Sequence, residues 1–196
     1  MSARVLVLNA HPDPSPERFC AALADSYALS AADSGAEVRR IELGKLQFEL
    51  LRSAQEHEHG TLPDALVEAQ EAIAWASHIL IVFPLWLGTM PALLKGFLEQ
   101  VLRPGFAYRV TNPKRPGTVR LLKGRSVRLV VTMGMPAFFY RFFYRAHGIR
   151  LLKRNILLFV GMGPVRTSLI GVVDGLSAKQ RQVWLDRMAK LGRQFL

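Results

Sequence analysis

Short runs of apolar or β-branched residues alternate along this chain with stretches whose apolar positions recur at helical spacing, the pattern of a parallel sheet covered by helices on both faces. Four runs read as strands: Arg4 to Asn9, Glu37 to Ile41, His78 to Phe83 and Ser126 to Thr132. "NILLFVG", Asn155 to Gly161, reads as a fifth, and "VRTSLIGVV" as a further strand or a loop. Between the first two strands the helical "RFCAALADSYALSAADSG" ends at Gly35, where a C-terminal cap is wanted. A last helix starts at Ser177 as N-cap and carries Val183, Leu185, Met188, Leu191 and Phe195 at helical spacing.

At 196 residues, half of them hydrophobic, the chain is long enough for one sizeable core and short for two, so one domain over residues 1–196 is expected. The longest apolar stretch, Ile79 to Gly88, is ten residues with an internal proline, against the roughly 20 of a spanning helix. A soluble protein is therefore expected. Arg4 is followed directly by the strand-like "VLVLNA", without the apolar core of a secretion signal. The single cysteine, Cys20, has no second thiol with which to form a disulfide or chelate a metal. A cytoplasmic location and no metal site are expected. The formal charge of +11 would attract phosphate, nucleic acid or an anionic membrane surface. It is concentrated from Lys114 to Arg128 and from Arg141 to Arg154. In the second stretch arginines interleave with aromatic and aliphatic residues, as in a membrane-surface helix, a base-stacking surface or a solvated helix with one core-facing side.

A sheet of this kind binds ligands beyond the carboxyl ends of its strands, where strand order reverses. Three strand ends carry unusual sequences: "NAHPDPSPERFC", "PLWLGTMP" and "MGMPAFFY". The first lacks a G-x-G-x-x-G fingerprint. It offers the Ser15 hydroxyl, the Arg18 charge and, if a helix begins near Pro16, the outward amides of Arg18, Phe19 and Cys20. An ordinary Pro-started, Ser-capped helix would read the same. At the second, Pro84 ends the strand, and the backbone of Leu85 to Thr89 is expected to be unclaimed by the sheet and free to bind a planar heterocycle. Trp86 and Leu87 would wall the ligand and Gly88 would turn the chain around it; taken alone, these residues read first as core packing at Trp86 and a plain turn at Gly88.

These segments resemble the flavodoxin-like NAD(P)H:quinone oxidoreductases and their bacterial relatives that regulate potassium efflux. "LNAHPDPSPERF" is similar to that family's strand-and-phosphate loop, and "FPLWLGTMPALLKGFLEQVLRPGFAY", Phe83 to Tyr108, to its most specific signature. Gln70 stands thirteen residues before Phe83, the spacing of the family's flavin-contacting glutamine. "TMGMPAFFY" with the later His147-Gly148 resembles the T-x-G-G-x loop and its tyrosine and histidine. The chain departs from the pattern at Gly134-Met135, where the family has Gly-Gly, in the one-position shift of His147, and at Leu85-Trp86, which lacks an intervening polar residue. Arg18 replaces a common serine or threonine, and Cys20 an asparagine.

The resemblance implies a flavodoxin-like three-layer sandwich, with a five-stranded parallel sheet and helices on both faces. It implies FMN, or alternatively FAD, as cofactor and NADPH or NADH as electron donor, with the basic charge favouring the extra phosphate of NADPH. His11 and the turn Ser15 to Cys20 would hold the flavin phosphate. Phe83, Pro84, Leu85, Trp86, Leu87 and Gly88 would lie along one edge of the ring, with Thr132, Met133, Gly134, Met135 and Pro136 along the other. Tyr140 and His147 would be the catalytic pair, donating hydrogen bonds or a proton to a quinone-like acceptor. A homodimer with its active site between subunits is implied. The alternative is a flavin-bearing regulatory subunit docked on a membrane transporter through residues 141–154. Nucleic-acid binding is not expected, because the sequence offers no reading motif.

Overall fold

In a computed structural model, which describes residues 2–111 and 117–196, the sheet forms from five parallel strands. They are β1 (Arg4–Asn9), β2 (Glu37–Glu42), β3 (His78–Pro84), β6 (Ser126–Thr132) and β7 (Val165–Ile170), ordered β2-β1-β3-β6-β7. A separate antiparallel pair, β4 (Tyr108–Val110) and β5 (Thr118–Arg120), was not legible beforehand. Of the expected basic stretch that starts at Lys114, residues 114–116 lie outside the described residues.

The central strand shows why the sequence selects this arrangement. Every residue of β3, "HILIVFP", is buried, as a strand covered on both faces must be. Pairing runs Val5↔His78 to Asn9↔Val82 on one side and His78↔Ser126 to Pro84↔Thr132 on the other. Alternate side chains feed two cores. Ile79, Ile81 and Phe83 enter the larger core, beneath α3 (Val67–Trp75) and α4 (Ala92–Val101). Leu80 and Val82 enter the smaller one, beneath α1 (Phe19–Asp33) and α8 (Ala178–Arg193). Truncating a fully buried aromatic such as Phe83 to alanine would cost about 3–5 kcal/mol.

The helix ends follow local chemistry. α1 stops where Gly35 takes φ +87° and donates to the Ala32 carbonyl, with Ala36 bonding back to Ala31. Ser177 caps α8 by accepting from the Gln180 amide, while the Gln180 side chain accepts from the Ser177 amide. Met188 is fully buried, with Trp184, Leu185, Leu191 and Phe195 packed around the same core, whereas Val183 faces solvent.

One element differs in kind from expectation. Asn155–Gly161 is helical, continuing α6 (His147–Leu151) through a π-wound turn at Leu152–Leu157 into α7 (Leu158–Val160). Ile149, Leu152, Leu157 and Val160 bury one side of this segment, and Gly161 ends it at φ +101°. The fifth strand is Val165–Ile170, within the segment that sequence left as strand or loop. A short α2 (Ala54–His59) and α5 (Ala137–Phe142) complete the layers.

Candidate functional site

The strand order places β1 and β3 side by side with crossovers leaving in opposite directions, so the crevice opens above their carboxyl ends. A cleft of about 390 Å³ lies there, within the size range of small-ligand sites. All three expected strand ends reach it: His11, Arg18, Phe19 and Cys20 from the first, Pro84, Leu85 and Trp86 from the second, Thr132, Met133 and Gly134 from the third.

The first loop is held by Asp13. Its carboxylate accepts from the Ser15 amide at 2.9 Å and from Arg18 Nε at 2.7 Å, and these two contacts, in that order, lower its pKa. Ser15 Oγ accepts from the Glu17 amide at 3.3 Å and lies outside the cleft lining. The helix starts at Phe19, not Pro16, and the Arg18 amide donates to the Ser15 carbonyl at 3.2 Å. Of the three amides expected to point outward, those of Phe19 and Cys20 remain without a partner among the described residues. They open a 15-residue helix, whose dipole adds to their attraction for an anion. His11 Nδ1 lies 3.0 Å from the Asp13 amide nitrogen. The Asp13 carbonyl oxygen lies 3.1 Å from the same Nδ1, so the two contacts call for opposite tautomers of the ring, whose pKa burial lowers. The imidazole meets Trp86 edge-on at 6.1 Å.

The second strand end is more tightly organised than expected. The Leu85 amide donates to the Thr132 carbonyl at 2.7 Å, and Trp86 and Thr89 exchange backbone hydrogen bonds at 2.9 and 3.0 Å. Leu87 (φ 47°) and Gly88 (φ 81°) are the two central residues of a hairpin turn. The amides of Leu85, Trp86 and Thr89 are therefore not free, contrary to expectation. Those of Leu87 and Gly88 have no partner among the described residues, and neither residue is in the cleft lining, which includes Trp86 on this side. A leucine in this left-handed conformation costs about 1–2 kcal/mol, and its side chain stands wholly in solvent. Phe83 sits below in the core, fully buried.

At the third strand end the Met133 amide is taken by Ile170, and the Gly134 and Met135 amides have no partner among the described residues. Met135 packs against the larger core and Pro136 precedes α5. Thr132 Oγ1 lies 3.4 Å from Cys20 Sγ, and burial pushes this thiol up to about 11.

Three residues in the lining escaped sequence reasoning: Val173, Asp174 and Arg181. Arg181, on α8, donates to the carbonyls of Val173 (2.8 Å) and Leu176 (3.2 Å), with its guanidinium 5.0 Å from the Phe19 ring. It ties the last turn of chain before α8 to the cleft. No local motif marks this role; only the packing of α8 on α1 reveals it.

Besides Ser15 and the buried Phe83, the expected residues Leu87, Gly88, Met135, Pro136, Gln70, Tyr140 and His147 are outside the cleft lining. Gln70 lies outside the cleft lining and donates to the Val101 carbonyl at the end of α4, at 2.9 Å. Tyr140 is 1% exposed. Its hydroxyl donates to the Gly88 carbonyl at 3.0 Å and accepts from the Ile149 amide at 3.4 Å, so the structure makes it a buried strut between α5 and the turn, not a group open to an acceptor. His147 is exposed at the start of α6, on the same strap of chain.

The donor set fits a flavin mononucleotide. Two helix-start amides with Arg18 nearby suit a phosphate, and the Gly134 amide in the lining suits a carbonyl or ring nitrogen of a heterocycle, with the amides of Leu87, Gly88 and Met135 within two residues of the lining. At Gly134 an added Cβ would meet only Asp174 Oδ2, at 3.6 Å, so this edge of the cleft is open.

The model of a family described as "Flavodoxin-like fold" matches residues 3–191. An uncharacterized NAD(P)H oxidoreductase of Haemophilus influenzae is 28% identical over 189 residues, covering 94% of this chain and 92% of that one. Among solved structures, the NAD(P)H:quinone oxidoreductase from Methanothermobacter marburgensis superposes with a TM-score of 0.82 at 23% identity, covering 100% of both chains. The FMN-dependent NADH-azoreductase from Bacillus anthracis, in complex with FMN, gives 0.74 at 16% identity, covering 99% of each.

Proposed function

This chain belongs to the flavodoxin-like fold family, and from that premise we propose that it is an oxidoreductase that uses NAD(P)H and FMN to reduce quinones or similar electrophiles. The observation that carries the proposal is the set of backbone amides without a partner among the described residues: those of Phe19, Cys20 and Gly134 in the lining of one cleft at the switch of strand order, and those of Leu87, Gly88 and Met135 within two residues of that lining. Bound there, the flavin would supply the hydride chemistry, accepting two electrons from NAD(P)H and passing them to the acceptor in a two-step, ping-pong cycle. The Phe19 and Cys20 amides anchor the phosphate, helped by Arg18 and by the Arg181 clamp. The Leu87 and Gly88 amides, fixed by their hairpin before reaction, stabilise negative charge that develops at the ring edge. Trp86 and His11 form the wall. Tyr140 acts as a positioning residue by holding the Gly88 carbonyl, and the exposed His147 supplies a proton to the acceptor.

FMN rather than FAD is supported by the size of the cleft and by the FMN-bound azoreductase among the structural neighbours. The excess of positive charge supports NADPH over NADH. An apolar hollow lined by Trp86, Leu87, Met90 and Leu151 supports a homodimer joined beside the cleft. Among the described residues no helix is long and apolar enough to cross a membrane. The buried, unpaired Cys20 supports a reducing cytoplasm.

The test is an absorption spectrum of the purified protein, mass spectrometry of its released cofactor and an NADPH–menadione assay. A yellow protein that releases FMN and oxidises NADPH with menadione is expected. A colourless protein that takes up no added FMN and leaves NADPH unoxidised would overturn the reading.

A further inference from the structure

α5 is a surface helix whose outward side is built against the usual rule. At 100° per residue, Phe138, Phe142, Phe139 and Phe143 fall at about 0°, 40°, 100° and 140° around it, while Tyr140 falls at about 200°. Tyr140 is the buried side. The opposite arc, which should be polar in a solvated helix, carries Phe138 and Phe142 at its centre, flanked by Phe139 and Arg141; Phe138, Phe142 and, at the helix end, Phe143 are exposed by 67%, 73% and 69%. Phe139 and Phe143 stack at 4.8 Å, and Tyr144 joins them at 5.5 and 5.1 Å. Phe139, Phe143 and Tyr144 form one cluster of rings, and Phe138 and Phe142 line a groove on the same helix.

Charge is divided as sharply as polarity. Residues 100–173 contain 14 Lys and Arg and no Asp or Glu; the rest of the chain holds the other 12 of the 26 basic residues and all 15 acidic ones. Arg141 interrupts the phenylalanines, Arg145 and Arg150 follow within seven residues, and the groove beside Phe138 and Phe142 is lined by Arg141, Arg150, Lys153 and Arg187. Among the described residues no acid lines this groove. A second copy laid on the patch by two-fold symmetry would bring these cations together. A surface that is apolar on a scale of a few rings and carries negative charge at its edge satisfies both halves of the pattern.

We propose that α5 and its flanking arginines dock this protein on an anionic lipid bilayer, with the phenylalanines entering the headgroup boundary and the arginines on lipid phosphates. α5 begins at Ala137, immediately after the cleft residues Met133 and Gly134, and Tyr140 joins it to the Trp86–Thr89 turn. Docking therefore sets the cleft beside the membrane and lets it take a lipid-dissolved acceptor. That second part rests on the oxidoreductase reading; the docking itself does not.

Flotation of the full-length protein with phosphatidylglycerol/phosphatidylcholine vesicles, beside pure phosphatidylcholine, tests the docking. We expect co-flotation with the anionic vesicles that weakens as salt rises, because the Debye length shrinks from about 10 Å at 0.1 M to about 3 Å at 1 M. Each Arg→Ala at 141, 145 or 150 should weaken partition about fivefold. F142A should weaken it about tenfold, and the triple F138A/F142A/F143A should abolish it. Flavin content and menadione turnover in these variants should stay at the wild-type level, which separates lost docking from lost folding. Absence of flotation, or flotation unaffected by the phenylalanine triple, overturns the proposal. So does a dimer that the phenylalanine triple splits while wild type ignores vesicles, or binding to a single-stranded oligonucleotide in place of vesicles. Acceptor delivery is read separately, as faster reduction of a long-chain quinone in anionic than in neutral vesicles. If menadione is not reduced either, the oxidoreductase reading has failed and the flotation result stands alone.

Discussion

The same central strands end in opposite ways. At their carboxyl ends, β1, β3 and β6 run out into backbone that lines an open cleft, where the N–H groups of Phe19, Cys20 and Gly134 have no partner among the described residues. Toward their amino ends, β3 and β6 carry His78 and Arg128, and with Tyr27 these leave Nε2, Nε and the phenol oxygen sealed from solvent without a hydrogen-bond partner among the described residues. Arg128 finds one partner, Ser168 Oγ at 2.9 Å, and among the described residues no carboxylate pairs with it. Unpaired donors within reach of a ligand make a site, whereas unpaired donors sealed in the interior are only a cost to the fold. The contrast explains why one end of a very apolar strand can serve chemistry and the other cannot.

Breaking the carboxyl end should have the largest effect. A Cβ added at Gly148 would fall inside the Gly88 carbonyl oxygen and 2.7 Å from Thr89 Cα, so α6 could no longer close on the turn. Gly148→Val is expected to lose bound flavin and several kcal/mol of stability, on the order of 3 or more. A spectrum and a denaturant midpoint measure both. Retention of flavin with unchanged stability would show that the strap does not support the cleft.

At the amino end, burial first, then Arg128 and Arg166, push His78 down to about 4 from an ordinary 6.5. The unfolded chain therefore binds the proton more readily than the folded one. Stability from the neutral ring is fully present above pH 6.5 and is lost as pH falls through the window to about 4. The loss should reach about 3 kcal/mol. Denaturant midpoints across that window should fall for wild type and fall less for His78→Gln; parallel curves would contradict the sealed, neutral histidine.

Tyr140→Phe sharpens the boundary between the two regions, because this hydroxyl is buried yet serves the cleft's turn. Removing it should cost about 1–2 kcal/mol of stability and lower menadione kcat/KM by less than about tenfold. A loss of about a hundredfold or more with flavin affinity intact would move Tyr140 into the chemistry. The smallest effect belongs to Cys20. With its thiol pushed up to about 11 it should be alkylated about a hundredfold more slowly than a thiol at the ordinary value of 9.0, as iodoacetamide mass labelling would show.

The sheet and the place of the cleft were legible because buried parallel strands write themselves as continuous apolar runs, as in His78–Pro84 and Ser126–Thr132. Asn155–Gly161 is a similar run of the same length, but its burial continues the helical spacing of Ile149 and Leu152, which a seven-residue window cannot show. Within the site, residue types located the loops, and hydrogen-bond accounting decided which groups were free. Leu85 and Trp86 looked unclaimed until the register of β3 against β6 placed the Thr132 carbonyl opposite Leu85. Gln70 matched a spacing, yet its helix turns it toward Val101. Arg181 lies on a helix with no motif and reaches the cleft only because α8 packs on α1.

The central claim concerns particular N–H groups, and amide NMR of the ¹⁵N-labelled protein observes them directly. On addition of one equivalent of FMN, the resonances of Phe19, Cys20, Leu87, Gly88, Gly134 and Met135 should shift together and exchange more slowly with solvent, while those of Leu85 and Trp86, already bonded to Thr132 and Thr89, change less. Bound FMN that leaves those six amides unshifted and freely exchanging would contradict the account.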